Sequence, residues 1–271
     1  MKKSFRLNKS SGFSILGEIN LGFSKKTKDL SVENMYKNFH PSDHPDFQDL
    51  YPERKGEKRE FSDHFMDFVS RKTKTFNCQS EVTGCLESIP LLKILWNAIE
   101  AQGCTLDLNR NISCEMCPPG DGIESLGTFD KKTNQVVICA NNARGYNCCG
   151  ALYWNMMEMF DKCYYKTDYK NVDHLACTEI RKANLAPISF YNAGKQVYSA
   201  NFEINQMHKV HVKEVAIESL VKTKFVSEDV AKEAVTKVFD KCYNDLEPIG
   251  RRAIDGKDML RAFHESYIYG Y

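Results

Sequence analysis

The sequence lacks an excess of charge of either sign. Its 271 residues include 37 basic and 36 acidic side chains, which gives a formal net charge of +1. Proteins that bind nucleic acids gain much of their affinity from basic side chains on phosphates, and they usually carry a clear basic excess. The charge balance therefore argues against a nucleic-acid-binding protein.

Long apolar runs are missing as well. The most apolar stretch, residues 89–99, is short and is interrupted by Lys93 and Asn97. A membrane-spanning helix needs about 18 or more apolar residues in succession. We therefore expect no transmembrane helix, and a protein that is soluble or peripheral to a membrane.

The N-terminus has no acidic residue before Glu18 and is basic and rich in serine. It also lacks the apolar segment of a secretory signal peptide. This composition fits a mitochondrial presequence and equally an ordinary polar tail, and both interpretations stay open.

Cysteine is absent from the first 77 residues and abundant afterwards, with eleven between residues 78 and 242. Such a density is typical of disulfides in an oxidising compartment or of a metal scaffold. A zinc ribbon would need a second C-x-x-C besides that of Cys114 and Cys117, and the adjacent Cys148 and Cys149 have the wrong spacing. We favour disulfides over structural zinc and over reduced core cysteines. The odd count leaves at least one thiol free.

Composition divides the chain into three predicted parts. Residues 1–75 are polar and charged, with scattered aromatic residues, and predict a long irregular extension that wraps over a partner. Residues 76–250 are predicted to form the compact domain, and residues 251–271 a basic and aromatic tail.

Hydrophobic periodicity predicts several helices and two strands in the compact part. The first predicted helix covers residues 89–99 and ends at Gly103. The predicted strands are 105–114 and 135–140, with a hairpin turn at 129–134 between them, and the later predicted helices are 151–165, 172–185, 201–222 and 227–243.

The order of a hairpin, a helix and a second helix with Glu-x-x-x-Ala-Asn resembles the mitochondrial ATP-synthase-processing metalloproteases. The most specific run is residues 174–185, His-Leu-Ala-Cys-Thr-Glu-Ile-Arg-Lys-Ala-Asn-Leu. Further matching runs lie at 113–117, 127–130, 135–142, 160–163, 231–235 and 242–250. The resemblance covers residues 78–250. It implies an α+β fold with a zincin-like core: a small β-hairpin sheet and several helices, stapled by disulfides.

In that family, the helix that precedes Phe160 and Asp161 carries His-Glu-x-x-His. The two histidines bind zinc, and the glutamate activates the metal-bound water. At the matching positions this sequence has Trp154, Asn155 and Glu158. An indole cannot bind zinc, and an amide cannot act as a general base. The resemblance therefore predicts a degenerate site, with no catalytic residue, no metal, no cofactor and no enzymatic activity.

Two further carboxylates at family positions, Asp161 and Glu179, remain beside Glu158. Three carboxylates could hold Mg²⁺ or Ca²⁺, which prefer oxygen ligands. We favour the alternative that they pair with basic neighbours such as Arg181. The helix that carries Trp154 is apolar on nearly every side, which predicts that it is buried all round. We expect Trp154 to fill the former cleft, with contact to a partner as the alternative.

Two other arrangements of reactive side chains stay open. His208 and His211 lie one helical turn apart and could share a metal, although histidines at the edge of the core are the interpretation we favour. Cys163 or Cys177 could form a nucleophilic pair with His174, although disulfide bonds would consume these thiols.

The resemblance also implies a compartment and a disulfide framework. It places the protein in the mitochondrial intermembrane space, peripheral to the inner membrane, with about four disulfides. The cysteines at family-like positions are Cys85, Cys104, Cys114, Cys117, Cys139, Cys163, Cys177 and Cys242.

We predict a structural accessory subunit of a mitochondrial inner-membrane respiratory complex, cytochrome c oxidase or a neighbouring complex. The expected partners are subunits of that large complex, contacted on its intermembrane-space side. The alternative is a non-proteolytic assembly chaperone for the membrane sector of the ATP synthase, and a hydrolase that uses other residues is a third hypothesis.

Overall fold

The computed structural model describes residues 65–117, 126–186 and 204–271. The helices and strands are, in chain order, α1 (Phe65–Ser88), α2 (Pro90–Ala101), α3 (Leu108–Asn111), β1 (Ile112–Glu115), β2 (Gly127–Asp130), β3 (Gln135–Cys139), α4 (Tyr146–Tyr164), α5 (Val172–Leu185), α6 (Ile204–Thr223), α7 (Glu228–Asn244) and α8 (Gly256–Glu265), followed by a 3₁₀ turn at Ser266–Tyr269. This combination of helices with one small sheet confirms the predicted α+β class.

Residues 1–64 of the predicted extension lie outside the described residues. Helix α1 begins at Phe65, ahead of the predicted start of the compact domain at residue 76. The predicted C-terminal tail contains helix α8, whose first turn is capped by Asp255: its carboxylate accepts a hydrogen bond from the backbone N–H of Asp258 at 2.9 Å. A capping aspartate of this kind is a helix-start signal that the tail interpretation missed.

The sheet has the strand order β1, β3, β2. Strand β2 pairs antiparallel with β3, from Gly127 opposite Ile138 to Asp130 opposite Gln135. Strand β1 pairs parallel with β3 on the other side. The hairpin predicted between residues 105–114 and 135–140 is therefore wrong in its first strand, because β2 is the hairpin partner of β3.

Asp107 explains why the first predicted strand is shorter than expected. Its carboxylate accepts hydrogen bonds from the backbone N–H groups of Asn109 and Arg110, both at 2.9 Å. These bonds satisfy the free donors of a helix start and hold residues 108–111 in a helical turn. Extended structure begins only at Ile112.

The predicted helix at 172–185 is confirmed by α5, and the ends of α2 and α7 lie within two residues of their predicted ends. Helix α4 begins five residues earlier than predicted, since Gly150 lies inside it rather than before it. A glycine lowers helix propensity by about 1 kcal/mol. Tertiary burial of an amphipathic or apolar helix outweighs a cost of that size.

Two apolar clusters form the core. The first is enclosed mainly by α1, α2, α4, α8 and the sheet, and the second lies between α5, α6 and α7. The side chains of Trp154 and Tyr169 pack against both clusters. The second cluster therefore joins the first where α4 meets α5.

Five disulfides cross-link these elements and confirm the disulfide-stapled fold. The pairs are Cys78–Cys114, Cys85–Cys149, Cys104–Cys163, Cys117–Cys139 and Cys177–Cys242. Each of the eight family-like cysteines is in a disulfide, two of them with Cys78 and Cys149, so there are five bonds rather than about four. Cys148 is the free thiol. Burial, together with the charge of Glu81, raises its pKa to about 12, which makes it a poor nucleophile at neutral pH.

Helices α1 and α2 meet at a sharp bend. None of the described helices alone is long and apolar enough to cross a bilayer, and the segments Val69–Ser88 and Pro90–Ala101, bent by 88°, reach that length and composition only as a pair. In α2 the apolar residues Leu91, Leu92 and Leu95 are fully buried in the first core cluster.

We expect Gly127→Ala to lower the free energy of unfolding by about 2 kcal/mol, the usual range for overpacking a core. A Cβ at Gly127 would lie 2.6 Å from the backbone oxygen of Val137 and 3.2 Å from Nδ2 of Asn155. The first atom belongs to the paired strand and cannot move without breaking the sheet. Denaturant unfolding followed by circular dichroism measures the change.

Gly84→Ala is the matched control, because a Cβ there meets no atom within 4 Å. Gly84 lies inside helix α1, where alanine is favoured over glycine by about 0.5–1 kcal/mol. This variant should be as stable as the native chain or slightly more stable. Equal losses in both variants would contradict the close contact described for Gly127.

Candidate functional site

Helix α4 carries the positions that the resemblance matches to the zinc-binding motif. It is buried on nearly every side, as its apolar composition predicts. Glu158 is 3% exposed and Asp161 is 2% exposed, although both carry carboxylates. Buried carboxylates need compensating charge or hydrogen bonds, and the surrounding helices supply them.

Glu158 is held by two lysines from different helices. Its Oε2 lies 3.1 Å from Nζ of Lys182 on α5, and its Oε1 lies 2.7 Å from Nζ of Lys224, which follows α6. Lys182 also lies 2.8 Å from Oε1 of Glu179, and the other oxygen of Glu179 accepts a hydrogen bond from the Ser219 hydroxyl at 2.8 Å. We call these five residues the Lys182 cluster. It joins α4, α5 and the end of α6 through buried ionic contacts.

Asp161 belongs to a second ionic group, centred on Arg181. Nε and Nη2 of Arg181 both lie 3.1 Å from Oδ1 of Asp161. Nη1 lies 2.6 Å from Oδ1 of Asp245, and Nη2 donates to the backbone oxygen of Glu247 at 2.7 Å. The pairing with Arg181 that the sequence predicts for a remaining carboxylate is therefore present at Asp161.

Trp154 and Asn155 complete the matched positions. Trp154 is half-buried and packs against both core clusters, and Nζ of Lys182 lies 4.9 Å from its ring centroid. Asn155 is buried, and its Nδ2 donates to the backbone oxygen of Ala151 at 2.8 Å. The indole thus contacts Lys182 of the cluster, while the amide is used within its own helix.

These residues do not fit a zinc ion. Zinc in a protease needs imidazole, thiolate or carboxylate ligands with free lone pairs. The chain offers an indole at 154, an amide at 155 and, at Glu158, a carboxylate whose two oxygens each contact a lysine. Among residues 65–117, 126–186 and 204–271 no group of three or more His, Cys, Asp and Glu side chains is placed to hold a metal ion. The three carboxylates Glu158, Asp161 and Glu179 are not brought together; two share Lys182, and the third contacts Arg181.

The alternative pairs of reactive side chains are not assembled either. Cys163 and Cys177 are in disulfides, and Nδ1 of His174 accepts a hydrogen bond from the backbone N–H of Asp168 at 3.1 Å. The Cys–His nucleophile hypothesis is therefore wrong for these residues. His208, which could have shared a metal with a neighbouring histidine, is fully buried instead, with Nδ1 2.8 Å from the Tyr243 hydroxyl.

Electrostatics at the site follow from burial and ion pairing. Burial by itself would raise the pKa of Glu158, but the ammonium groups of Lys224 and Lys182 outweigh it and lower the pKa to about 2. Burial would lower the pKa of Lys224, and the charge of Glu158 outweighs it, so that this pKa is raised. For Asp161 burial dominates over the contact with Arg181, and its pKa is raised.

Lys131 lies within electrostatic reach of the same cluster. Burial, followed by the positive charge of Lys224, lowers its pKa to about 7. Its Nζ lies 3.9 Å from the ring centroid of Tyr169. An amine with a pKa near neutrality can gain or lose a proton at physiological pH. The charge of Lys131 therefore depends on pH in that range.

The pKa of Glu158 predicts an acid-dependent loss of stability. A carboxylate whose folded-state pKa lies below its ordinary value of 4.5 stabilises the fold above that ordinary value. This contribution, about 3 kcal/mol for a shift of this size, is lost as the pH falls from about 4.5 to about 2. We therefore expect the stability advantage of the native chain over Glu158→Gln to shrink by about that amount across the same pH range.

Denaturant unfolding of both proteins at several pH values measures this difference. Titrating groups that do not interact with Glu158 are common to the two proteins and cancel in the comparison. A difference that does not change with pH would show that Glu158 is not ion-paired as described. Lys232→Gln, which removes one member of an exposed pair with Glu228, is the control and should show little pH-dependent difference.

Comparison with known proteins bears on the same helices. The profile of the Peptidase M76 family matches residues 76–250, which include α4, α5 and the whole Lys182 cluster. The chain belongs to the Peptidase M76 family. No solved structure matches the chain at a significant level.

Three relatives from vertebrates are similar over most of the chain, and all are named mitochondrial inner membrane protease ATP23 homolog. The protein of Xenopus laevis is 35% identical over 221 residues, which are 80% of this chain and 89% of the relative. The protein of Homo sapiens is 34% identical over 205 residues, 74% of this chain and 79% of the relative. The protein of Danio rerio is 34% identical over 221 residues, 80% and 82% of the two chains.

These comparisons confirm the family resemblance and correct the prediction that the chain is not an enzyme. That prediction is wrong, because the family is one of peptidases and the similar relatives are named as proteases, which points to an enzyme. The residues at positions 154, 155 and 158 alone are not enough to set this chain apart from the enzymes of the M76 family.

Sequence reasoning missed the two lysines that define the cluster. Lys182 follows Glu179 by three residues on α5, a spacing at which helical side chains meet, and this was a usable signal. Lys224 was not detectable, because only the packing of α6 against α5 brings it to Glu158. Ser219 was missed for the same reason.

Proposed function

We propose that this M76 chain is a structural accessory subunit of a mitochondrial inner-membrane respiratory complex, on the intermembrane-space side. Cytochrome c oxidase is the first complex to test. The observation that carries the proposal is the Lys182 cluster. At the position matched to the second zinc-binding histidine, both oxygens of Glu158 contact lysines of other helices. The side chain there holds helices together.

The location is supported by two observations. Relatives of this chain are named as proteins of the mitochondrial inner membrane. Five disulfides in one domain favour an oxidising compartment, and the intermembrane space is the compartment proposed here. The charge balance of the chain favours protein partners over nucleic acid.

Segments outside the family domain are the proposed anchors. The family profile covers residues 76–250, so 75 residues before it and 21 after it lie outside the family profile. Residues 1–64, which are polar but contain scattered aromatic and aliphatic side chains, are proposed to lie over the surface of the complex. Ordering such a segment costs about 1–2 kcal/mol per residue, which binding must offset.

The test is co-migration with an intact complex on a native gel. We expect the full chain to co-migrate in stoichiometric amount. Deletion of residues 2–64 should abolish co-migration, because it removes the proposed anchor. The deletion ends at residue 64 so that α1 stays whole. A deletion up to residue 75 would cut into α1 and could unfold the domain. Full occupancy of the truncated chain would contradict the anchoring role. Migration with assembly intermediates alone, in substoichiometric amount, would favour the assembly-chaperone alternative.

Proteolysis at the inner membrane is the second candidate, and the names of the relatives favour it. Cleavage of an unfolded protein substrate by the purified full chain, with and without a zinc chelator, tests this role. Chelator-sensitive cleavage that is lost in a Glu158→Gln variant shown by circular dichroism to be folded would assign the chain to the protease function. It would also contradict the structural role that is proposed for Glu158.

A further inference from the structure

The segment after the family domain packs firmly against the core. In α8, Ala262 is buried, and Met259 and Phe263 pack against the first core cluster. At the C-terminus, Tyr271 donates a hydrogen bond from its hydroxyl to Oε2 of Glu247 at 2.7 Å. Helix α8 therefore presents one fixed face to the core and leaves the opposite face outward.

The outward face combines basic and apolar side chains. Lys257, Leu260, Arg261 and His264 follow at the spacing i, i+3, i+4 and i+7, which places them on one side of a helix. All four are exposed. Leu260 is 51% exposed, and the side chain of Arg261 is 68% exposed.

The 3₁₀ turn that follows the helix also exposes apolar side chains. Tyr267 is 74% exposed and Ile268 is 66% exposed. Tyr269 differs from them, since its ring packs where a side chain on Gly250 would lie, 2.9 Å from the Cβ position. We call Lys257, Leu260, Arg261, His264, Tyr267 and Ile268 the C-terminal face.

The acidic side chains of this segment contact mainly Arg251, which lies outside the C-terminal face. Asp258 and Glu265, at the edge of the C-terminal face, lie 3.6 Å and 3.1 Å from the guanidinium of Arg251, and Asp258 is also 3.9 Å from Arg261. Asp255 caps the start of α8. The C-terminal face itself thus carries two permanent positive charges and a histidine, with no carboxylate among its six residues.

We infer that the C-terminal face docks onto an anionic lipid surface. Helices that lie in a membrane interface have apolar residues flanked by lysine and arginine, and binding grows with buried apolar area and with attraction to anionic lipid. Tyrosine is favoured at the level of the headgroups, where its ring is partly apolar and its hydroxyl is hydrated. Lysine and arginine can extend their charged ends to the phosphates while their stems lie along apolar surface.

A lipid surface fits this face better than an acidic protein does. A single ten-residue helix with one following turn is small compared with the area of a stable protein interface, about 800 Å² per partner. Leu260, Tyr267 and Ile268 stand among cations on an outward helix face, and a bilayer interface accepts that arrangement without a shaped groove. The inference does not depend on the proposed accessory role, because lipid binding needs no partner protein.

The experiment measures partitioning of the purified full chain onto vesicles by co-sedimentation. The vesicles are phosphatidylcholine alone or phosphatidylcholine with anionic phospholipid. We expect at least about tenfold stronger partitioning onto the anionic vesicles, weakened by salt. Lys257→Gln with Arg261→Gln should reduce it about 20-fold, since each basic residue near the surface contributes about a factor of five. Leu260→Ser with Ile268→Ser should reduce it about tenfold.

The control is the pair Val230→Ser and Lys232→Gln on α7, which removes one exposed apolar and one exposed basic side chain elsewhere. It should partition as the native chain does. Equal binding to neutral and anionic vesicles, or full binding by both face variants, would overturn the inference. Binding to immobilised polyglutamate but not to vesicles would also overturn it and would identify an acidic protein surface as the partner.

A local readout separates this face from any other membrane contact. Tyr267→Trp places an indole on the C-terminal face, and Val230→Trp places one on α7. Brominated lipids in anionic vesicles should quench the added fluorescence at 267 and leave that at 230 unchanged. Equal quenching at the two positions would overturn the assignment of this face.

Discussion

Lys182→Met lowers the free energy of unfolding by about 3–5 kcal/mol, the range measured when one partner of a buried ion pair is removed. Lys182 is 2% exposed and lies between Glu158 at 3.1 Å and Glu179 at 2.8 Å. Without its ammonium group, Glu179 keeps only the Ser219 hydroxyl as a described partner of its carboxylate, and Glu158 keeps Lys224. Methionine has a similar length, so the loss reports charge more than volume. Denaturant unfolding of the two proteins at neutral pH measures it.

Lys237→Met is the matched control for that substitution. Lys237 lies 2.6 Å from Asp173, but its side chain is 66% exposed. Exposed ion pairs contribute about 0–1 kcal/mol, so the control should lose no more than that. Lys182→Met with Glu179→Gln should recover part of the loss, because the second change removes the uncompensated carboxylate. Equal losses at 182 and 237, or no recovery in the double variant, would contradict the Lys182 cluster as described.

The helical framework was predictable because its signals are local. Apolar periodicity predicts α2, α5 and α7 with small errors at their ends, and the uniformly apolar composition of α4 predicts its burial. The predicted bounds are wrong where the apolar pattern or a helix-breaking residue is outweighed by another effect, such as a capping side chain or the burial of a helix. Asp107 caps a helical turn inside a segment that alternation predicts as a strand, and Gly150 continues a helix that glycine usually interrupts.

The candidate site was predictable only in part, because its contacts join residues distant along the chain. The positions Trp154, Asn155 and Glu158 follow from the sequence, as does a basic partner for Asp161. The contact of Glu158 with Lys224 spans 66 residues, and no local pattern indicates it. Disulfide partners are similarly open: ten cysteines in five pairs permit many connectivities, and Cys78 and Cys149 gave no sign of joining the framework.

Family membership and the identity of single site residues give different information about this chain. The M76 profile matches the fold through the whole of residues 76–250, since many core positions contribute to such a match. The ionic contacts of Glu158 depend on three side chains. The family therefore identifies a peptidase class, while the Lys182 cluster describes what holds α4, α5 and α6 together in this chain. Activity and stability measurements on the same Glu158 variant address the two properties separately.

Removing the Cys177–Cys242 disulfide, by Cys177→Ala with Cys242→Ala, should lower the free energy of unfolding by about 4 kcal/mol. The bond joins α5 to α7 across a sequence separation of 65 residues. A cross-link stabilises the fold mainly by restricting the unfolded chain, and the effect grows with the length of the closed loop. Cys117→Ala with Cys139→Ala removes a bond across a sequence separation of 22 residues. This double variant should lower the free energy of unfolding by about 3 kcal/mol.

Cys148→Ala is the control for the loss of a buried sulfur. Its thiol is free and fully buried, so the substitution removes packing but no cross-link and should cost about 1 kcal/mol. Non-reducing mass spectrometry verifies that the other four disulfides are intact in each double variant before unfolding is measured. If the Cys177 variant loses no more than Cys148→Ala, the α5–α7 bond does not stabilise the second core cluster. If the shorter loop causes the larger loss, native contacts at each bond outweigh chain entropy.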